Sequence, residues 1–235
     1  MTDRQGTTAY SLREQAFELS AFLFLIVPSI ALSFFVTRQG GLGFVLLSVA
    51  VILRDLALLC LVLFFLWRNG EPLAAVGLTR RKFWSEAGLG VVLFIPLFIA
   101  TSAIDVFLQK AGLSALSAPV PLFTNEKGPW EFVLAFLLVA VVALCEEAIF
   151  RGYLILRFRN ITSRAVAAVL LSSLIFSLGH GYEGTAGVLT VGVMGLVFAL
   201  VYLWRKNLTA PIVMHFLNDF IVIVLLPFIK QAGHF

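Results

Sequence analysis

The sequence predicts an all-α bundle of about seven transmembrane helices, and two observations support this prediction. Of the 235 residues, 60% are hydrophobic and 13% are charged, whereas a soluble domain has roughly 25% charged residues. Apolar runs of about 20 residues, the length a helix needs to cross the hydrocarbon core, recur along almost the whole chain. The mean hydropathy of +1.01 agrees with one polytopic membrane domain.

Seven segments have the length and composition of membrane spans. Breaks between them include Gly40-Gly41, the NGEP stretch at residues 69–72, and the loop that contains Pro119 and Pro121. The predicted spans run approximately from Leu19 to Val36, Leu42 to Trp67, Ala87 to Leu108, Phe132 to Leu156, Ala165 to Gly181, Thr185 to Trp204, and Leu208 to Ile229.

The basic residues predict the membrane orientation rather than a nucleic-acid partner. The formal charge is +4, but the Lys and Arg residues lie mainly in short loops between the apolar runs. Eleven of them fall on the side of the N-terminus and four on the other side, once Arg54 and Arg151 are left out as intramembrane. The positive-inside rule therefore places the N-terminus in the cytoplasm and the C-terminus outside.

Ionisable side chains within the predicted spans are candidates for function, because such groups are costly at membrane depth. Arg54 and Asp55 form a neighbouring pair in the second span, and the preferred interpretation is that they hold helices together. The other candidates cluster in the second half of the chain: Glu146, Glu147, Arg151, His180, His215 and Asp219.

The candidates in the second half repeat a spacing of four, which places two side chains on the same helix face. Glu147 can pair with Arg151, so Glu146 points elsewhere and is available as a general base. His215 and Asp219 have the same spacing, so the carboxylate can reach its own histidine or a neighbouring ligand.

Two hydrolytic chemistries fit this set. A divalent ion such as zinc could be held by Glu146, His180 and His215, with one position left for water. Alternatively, Glu146 and His180 activate water directly while His215 and a neighbour stabilise the oxyanion. Phe176, four residues before His180, can orient that imidazole ring. A proton relay in a transporter would use the same kinds of residue.

Three motifs occur in the order EExxxR, FxxxH and HxxxN or HxxxD, and they resemble the CPBP family of intramembrane proteases, also called the CAAX protease and bacteriocin-processing or Abi family. The resemblance covers about residues 131–225. It implies N-terminal transmembrane helices at 1–130, a catalytic core at 131–229, and a bacterial inner or plasma membrane location. The motifs are Glu146-Glu147-Ala-Ile-Phe-Arg151, Phe176-Ser-Leu-Gly-His180 and His215-Phe-Leu-Asn218-Asp219.

The resemblance also implies an endopeptidase that acts on membrane-associated proteins or peptides. Members of the family have been interpreted as metalloproteases and as metal-independent glutamate proteases. An ionised Asp219 cannot donate a hydrogen bond as the family's frequent Asn can, so either Asp219 orients His215 or Asn218 donates instead. By resemblance, Glu146 is the catalytic glutamate, Glu147 and Arg151 are its supporting pair, His180 acts with Glu146 on water, and His215 with Asp219 forms the oxyanion or metal-binding pair.

Two functions of other classes remain as alternatives. A proton-coupled transporter would use the same buried groups, but carriers often have repeated halves, and the polar cluster here is confined to the second half. A catalytically silent immunity or scaffold protein would keep the fold, but a decayed site should lose motif residues, and all six are present.

Overall fold

The computed structural model describes residues 11–34, 43–114 and 129–226, and within these ranges the chain is helical and contains no β-strand. This confirms the predicted all-α membrane bundle. The seven helices of the described ranges are α1 (Leu12–Ser33), α2 (Phe44–Arg68), α3 (Phe83–Lys110), α4 (Pro129–Thr162), α5 (Ala165–Leu178), α6 (Gly184–Arg205) and α7 (Thr209–Leu225).

Each predicted span corresponds to one of these helices, although only five helices of the described ranges are long and apolar enough to cross a membrane. The two shorter ones are α5, with 14 residues, and α7, which joins 11 α-helical to 6 π-helical residues. At a rise of 1.5 Å per residue they reach about 21 and 26 Å, less than the roughly 30 Å of the hydrocarbon core. The chain is an integral membrane protein, and α5 and α7 are shorter than a complete span.

The predicted breaks are only partly within the described ranges. The NGEP stretch does separate α2 from α3, and Gly70 there adopts a positive φ of 67°. Gly40-Gly41 and the loop with Pro119 and Pro121 lie outside the described residues.

Helix ends follow from local hydrogen bonding. At the start of α1, the Ser11 hydroxyl accepts from the Glu14 amide at 3.3 Å, and the Glu14 carboxylate accepts from the Ser11 amide at 2.8 Å, a reciprocal capping box. Between α6 and α7, Lys206 adopts a left-handed φ of 52°. Oδ1 of Asn207 then accepts from the Thr209 amide at 2.8 Å, which satisfies an amide that α7 itself leaves free.

Helices α4 and α6 form the centre of the bundle. In their most apolar stretches 44% and 56% of residues are buried, against 11% in α3. Large apolar side chains such as Phe24 on α1 and Trp84 on α3 remain exposed. Lipid tails are as apolar as these side chains, so this surface is suited to a bilayer.

The connection between α2 and α3 enters the bundle instead of crossing its surface. Val76 is fully buried, and the Gly77 carbonyl accepts a hydrogen bond from the Leu208 amide at 3.0 Å. Gly152 of α4 and Leu208 both pack near Val76. Helix α7 therefore begins near Gly152 of α4 rather than level with the end of α4 at Thr162.

The position at which α7 begins explains how His180 and His215 come near one another, although they lie at different distances from the starts of their predicted spans. Counted from the first residue of each predicted span, His215 lies about 10 Å along its helix and His180 about 22 Å. Because α7 starts deep in the bundle, His215 in its second turn reaches the EExxxR motif of α4. His180 follows directly after the short helix α5.

Gly152→Ala is expected to destabilise the protein by about 1–3 kcal/mol, the usual cost of overpacking. A Cβ at Gly152 would lie 2.7 Å from the Val76 carbonyl oxygen and 3.0 Å from the Val76 Cβ, so the connection would have to move. Thermal unfolding in detergent measures the effect. Gly88→Ala on α3 is the matched control, since a Cβ there meets nothing within 4 Å; equal melting temperatures for the two variants would contradict the close packing.

Candidate active site

The EExxxR motif lies where α4 changes from α-helix to π-helix. The α-helical part ends at Glu146, and the residues Glu147–Leu154 are π-helical. Such segments are rare and occur frequently at functional sites. The π-helical segment is almost entirely buried, with the Glu147 side chain 0% and the Arg151 side chain 1% exposed.

Glu147 connects the arginine of its own helix to a histidine of α7. Its Oε1 lies 2.9 Å from Nη1 of Arg151 and accepts a hydrogen bond from Nδ1 of His215 at 2.8 Å. The pairing with Arg151 follows the predicted spacing of four. The contact with His215 was not predicted, because it joins residues 68 positions apart.

His215 has carboxylates at both ring nitrogens. Its Nε2 lies 3.4 Å from Oδ2 of Asp219 and 3.8 Å from Oε2 of Glu146. Asn218 donates from Nδ2 to Oδ1 of Asp219 at 3.2 Å. The adjacent glutamates thus approach opposite edges of one imidazole, Glu147 at Nδ1 and Glu146 near Nε2. A ring protonated at both nitrogens donates on both sides and offsets the negative charge around it.

Glu146 has an oxygen that the surrounding residues leave without a donor. Its side chain is 13% exposed. Oε2 is buried, and no hydrogen-bond partner for it exists among the residues that the structure describes. A buried carboxylate oxygen normally has a partner, and one that lacks a protein donor is suited to bind a water molecule and accept its proton.

His180 is linked to the other candidates through Phe176. Its Nδ1 donates to the Phe176 carbonyl oxygen at 2.9 Å, which leaves Nε2 of the neutral ring with a free lone pair. The centroid of the Phe176 ring lies 4.8 Å from that of His180 and 5.9 Å from that of His215. Within residues 129–226 and the other described ranges, no ion pair joins His180 to a carboxylate.

Phe198 of α6 belongs to the site although no motif includes it. Its ring stacks on His215 with centroids 5.6 Å apart, and the guanidinium carbon of Arg151 lies 5.2 Å from its centre. The same guanidinium carbon lies 4.0 Å from the centre of the Phe176 ring. No sequence signal distinguishes Phe198 from the other apolar residues of its helix, so sequence analysis missed it.

The predicted metal ligands do not form a binding site as they are placed. In the described part of the chain, no three His, Cys, Asp or Glu side chains are arranged to hold one ion. Nδ1 of His215 is engaged with Glu147. A shared ion would therefore require Glu146, His180 and His215 to move together.

Comparisons with known proteins agree with the motifs. Residues 128–221, which include all six predicted site residues, match the family model described as type II CAAX prenyl endopeptidase Rce1-like. The membrane-embedded CAAX protease MroQ of Staphylococcus aureus (strain USA300) is 34% identical over 104 residues, and the match covers 39% of this chain and 38% of that relative. No solved structure matches the chain. In its matched segment and its three motifs, the chain is therefore similar to CAAX endopeptidases.

Proposed function

We propose that the chain is an intramembrane endopeptidase that hydrolyses peptide bonds of membrane-associated proteins or peptides, with water activated by Glu146 and His180. The observation that carries this proposal is the unpartnered Oε2 of Glu146 beside an imidazole that Glu147 fixes from the other edge. The family match and the CAAX protease relative support a peptide substrate of the CAAX type.

In the proposed reaction, Glu146 accepts one proton from a water molecule while the water oxygen bonds to the carbonyl carbon of the scissile peptide. The second proton of the water can be accepted at Nε2 of His180 as a hydrogen bond. Electrons of the carbonyl move to its oxygen, and His215 donates from Nε2 to this oxyanion. Glu146 then passes its proton to the leaving nitrogen, the C–N bond breaks, and a carboxylic acid and an amine remain.

Asp219, Glu147 and Arg151 act in this proposal by positioning His215. Asn218 donates to one oxygen of Asp219 and the other oxygen faces Nε2 of His215. This arrangement favours Asp219 as the group that orients His215 over Asn218 as a donor to the oxyanion. Substrate binding would bring the oxyanion to Nε2 in competition with Asp219.

A zinc-dependent form of the same activity is the competing mechanism. A bound zinc ion would supply a Lewis acid that polarises the peptide carbonyl or the water. The donor set of Glu146, His180 and His215 fits zinc by residue type but not by placement. The proposal therefore assigns water activation to the protein's own residues.

We further propose that the protein lies in a bacterial inner or plasma membrane with its N-terminus in the cytoplasm and its C-terminus outside. The eleven-to-four distribution of basic residues supports this orientation. The bacterial source of the relative supports the location. Residues 131–229 form the proposed catalytic core.

The test is cleavage of a peptide library by the purified protein in mild detergent, with bound metal determined by elemental analysis. Glu146→Gln and His180→Ala are each expected to lower the cleavage rate by about 10²–10⁴-fold, the usual contribution of general acid–base groups. Glu86→Gln is the control, because Glu86 is a buried carboxylate on α3 whose partner is Arg205.

The outcomes separate the candidate functions. Cleavage that survives chelation but is lost in Glu146→Gln supports the proposed mechanism, whereas loss on chelation with about one metal per chain supports the zinc form. Full cleavage by Glu146→Gln would contradict the assignment of the base. Proton-coupled uptake in proteoliposomes without cleavage would favour a transporter.

A further inference from the structure

Arg54 and Asp55, near the middle of α2, form their direct hydrogen bond and ion pair with each other. Nε and Nη2 of Arg54 both lie 2.8 Å from Oδ1 of Asp55, the next residue of the same helix. Within the described ranges, neither side chain forms an ion pair or hydrogen bond with another helix. Ionisable groups at membrane depth are normally retained for function, so this pair needs another explanation.

The pair lies on a helix that packs against the helix of the proposed catalytic glutamate. Helix α2 packs along α4. Arg54 and Asp55 both interact electrostatically with Glu146, and Arg54 also interacts with Tyr182 in the turn after His180. Arg54 keeps 46% of its side chain exposed, whereas that of Asp55 is 3% exposed. The Arg54 side chain is therefore accessible, whereas the Asp55 carboxylate that it contacts is buried.

Oδ2 of Asp55 on α2 and Oε2 of Glu146 on α4 are among the buried carboxylate oxygens that lack a hydrogen-bond partner among the described residues. Arg54 is a cation that interacts with both carboxylates. A guanidinium has five N–H donors in a fixed planar arrangement. Asp55 engages those on Nε and Nη2, which leaves Nη1 to donate to Glu146 through a water molecule.

We propose that Arg54, anchored by Asp55, is a positioning residue for Glu146 and holds its carboxylate in place for water activation. The inference rests on the proposed function. It gives each member of the Glu146-Glu147 pair an arginine of its own: Arg151 from the same helix for Glu147, and Arg54 from α2 for Glu146. In this proposal, the negative charge of Glu146 in the EExxxR motif is offset by Arg54, which lies outside the segment that matches the family model.

The test compares Arg54→Gln, Arg54→Lys and the control Arg68→Gln for kcat, KM and melting temperature, with a library peptide that the wild type cleaves. Arg68 is a suitable control because it lies on the same helix, its side chain is 51% exposed, and it faces the buried Glu18 at 3.6 Å. Arg54→Gln should lower kcat by about 10–100-fold with KM within about twofold, as for loss of one electrostatic contact in a site. Arg54→Lys should recover part of the loss, and Arg68→Gln should match the wild type.

The inference is overturned if Arg54→Gln keeps the wild-type kcat, or if it changes KM and melting temperature without changing kcat. Should Arg54→Gln fail to fold, Arg54→Lys and Arg68→Lys decide the matter, because only the former should reduce kcat. Glu146→Gln in the same assay separates the two proposals: full activity of that variant refutes the proposed function, whereas its inactivity beside a fully active Arg54→Gln refutes only the role of Arg54.

Discussion

Arg151→Met is expected to lower the free energy of unfolding by about 3–5 kcal/mol, the usual effect of removing one partner of a buried ion pair, and to abolish cleavage. The Arg151 side chain is 1% exposed and lies 2.9 Å from Glu147. Its guanidinium is also held by the rings of Phe176 and Phe198. Without it, the Glu147 carboxylate remains buried beside His215 with one fewer cation.

Thermal unfolding in detergent and the peptide assay measure the two effects separately. The double variant Arg151→Met/Glu147→Gln should recover much of the stability, because both charges of the pair are gone. It should stay inactive, because a neutral amide no longer offers His215 an anionic partner at Nδ1. Equal melting temperatures for Arg151→Met and the wild type would show that the pair does not hold α4 in its π-helical form.

The parts of the site that lie within one helix could be predicted from the sequence. A spacing of four fixes side chains on one helix face, and this rule brought Glu147 to Arg151 and His215 to within 3.4 Å of Asp219. The apolar runs likewise predicted the seven helices, although only five of them in the described ranges have the length of a membrane span. Both rules use only local sequence.

The contacts between helices could not be predicted in this way. The hydrogen bond from His215 to Glu147 depends on where α7 starts, and that start depends on the buried connection around Val76. The π-helical form of the EExxxR segment has no spacing signature of its own. The sequence indicates Arg54 and Asp55 as a neighbouring pair, and the structure adds that the bond of Arg54 is to Asp55 itself.

Arg157→Met is expected to cause a loss of stability as large as that of Arg151→Met, about 3–5 kcal/mol, at a distance from the proposed active site. Arg157 is fully buried near the end of α4. Nη1 donates to Oε1 of Glu71 at 2.9 Å, Nη2 also contacts Glu71, and Glu18 of α1 lies 4.0 Å away. The guanidinium carbon also lies 4.9 Å from the centre of the Tyr153 ring.

This arginine joins α1 and the connection after α2 to α4, so its loss should loosen the packing that places the buried connection and the start of α7. We therefore expect Arg157→Met to reduce cleavage only in proportion to the folded fraction, with KM unchanged in the protein that remains folded. Arg159→Met, an exposed arginine of the same helix, is the control and should unfold at the wild-type temperature. A stable Arg157→Met variant with lowered kcat would instead indicate that the Arg157 network acts on the site and not only on the fold.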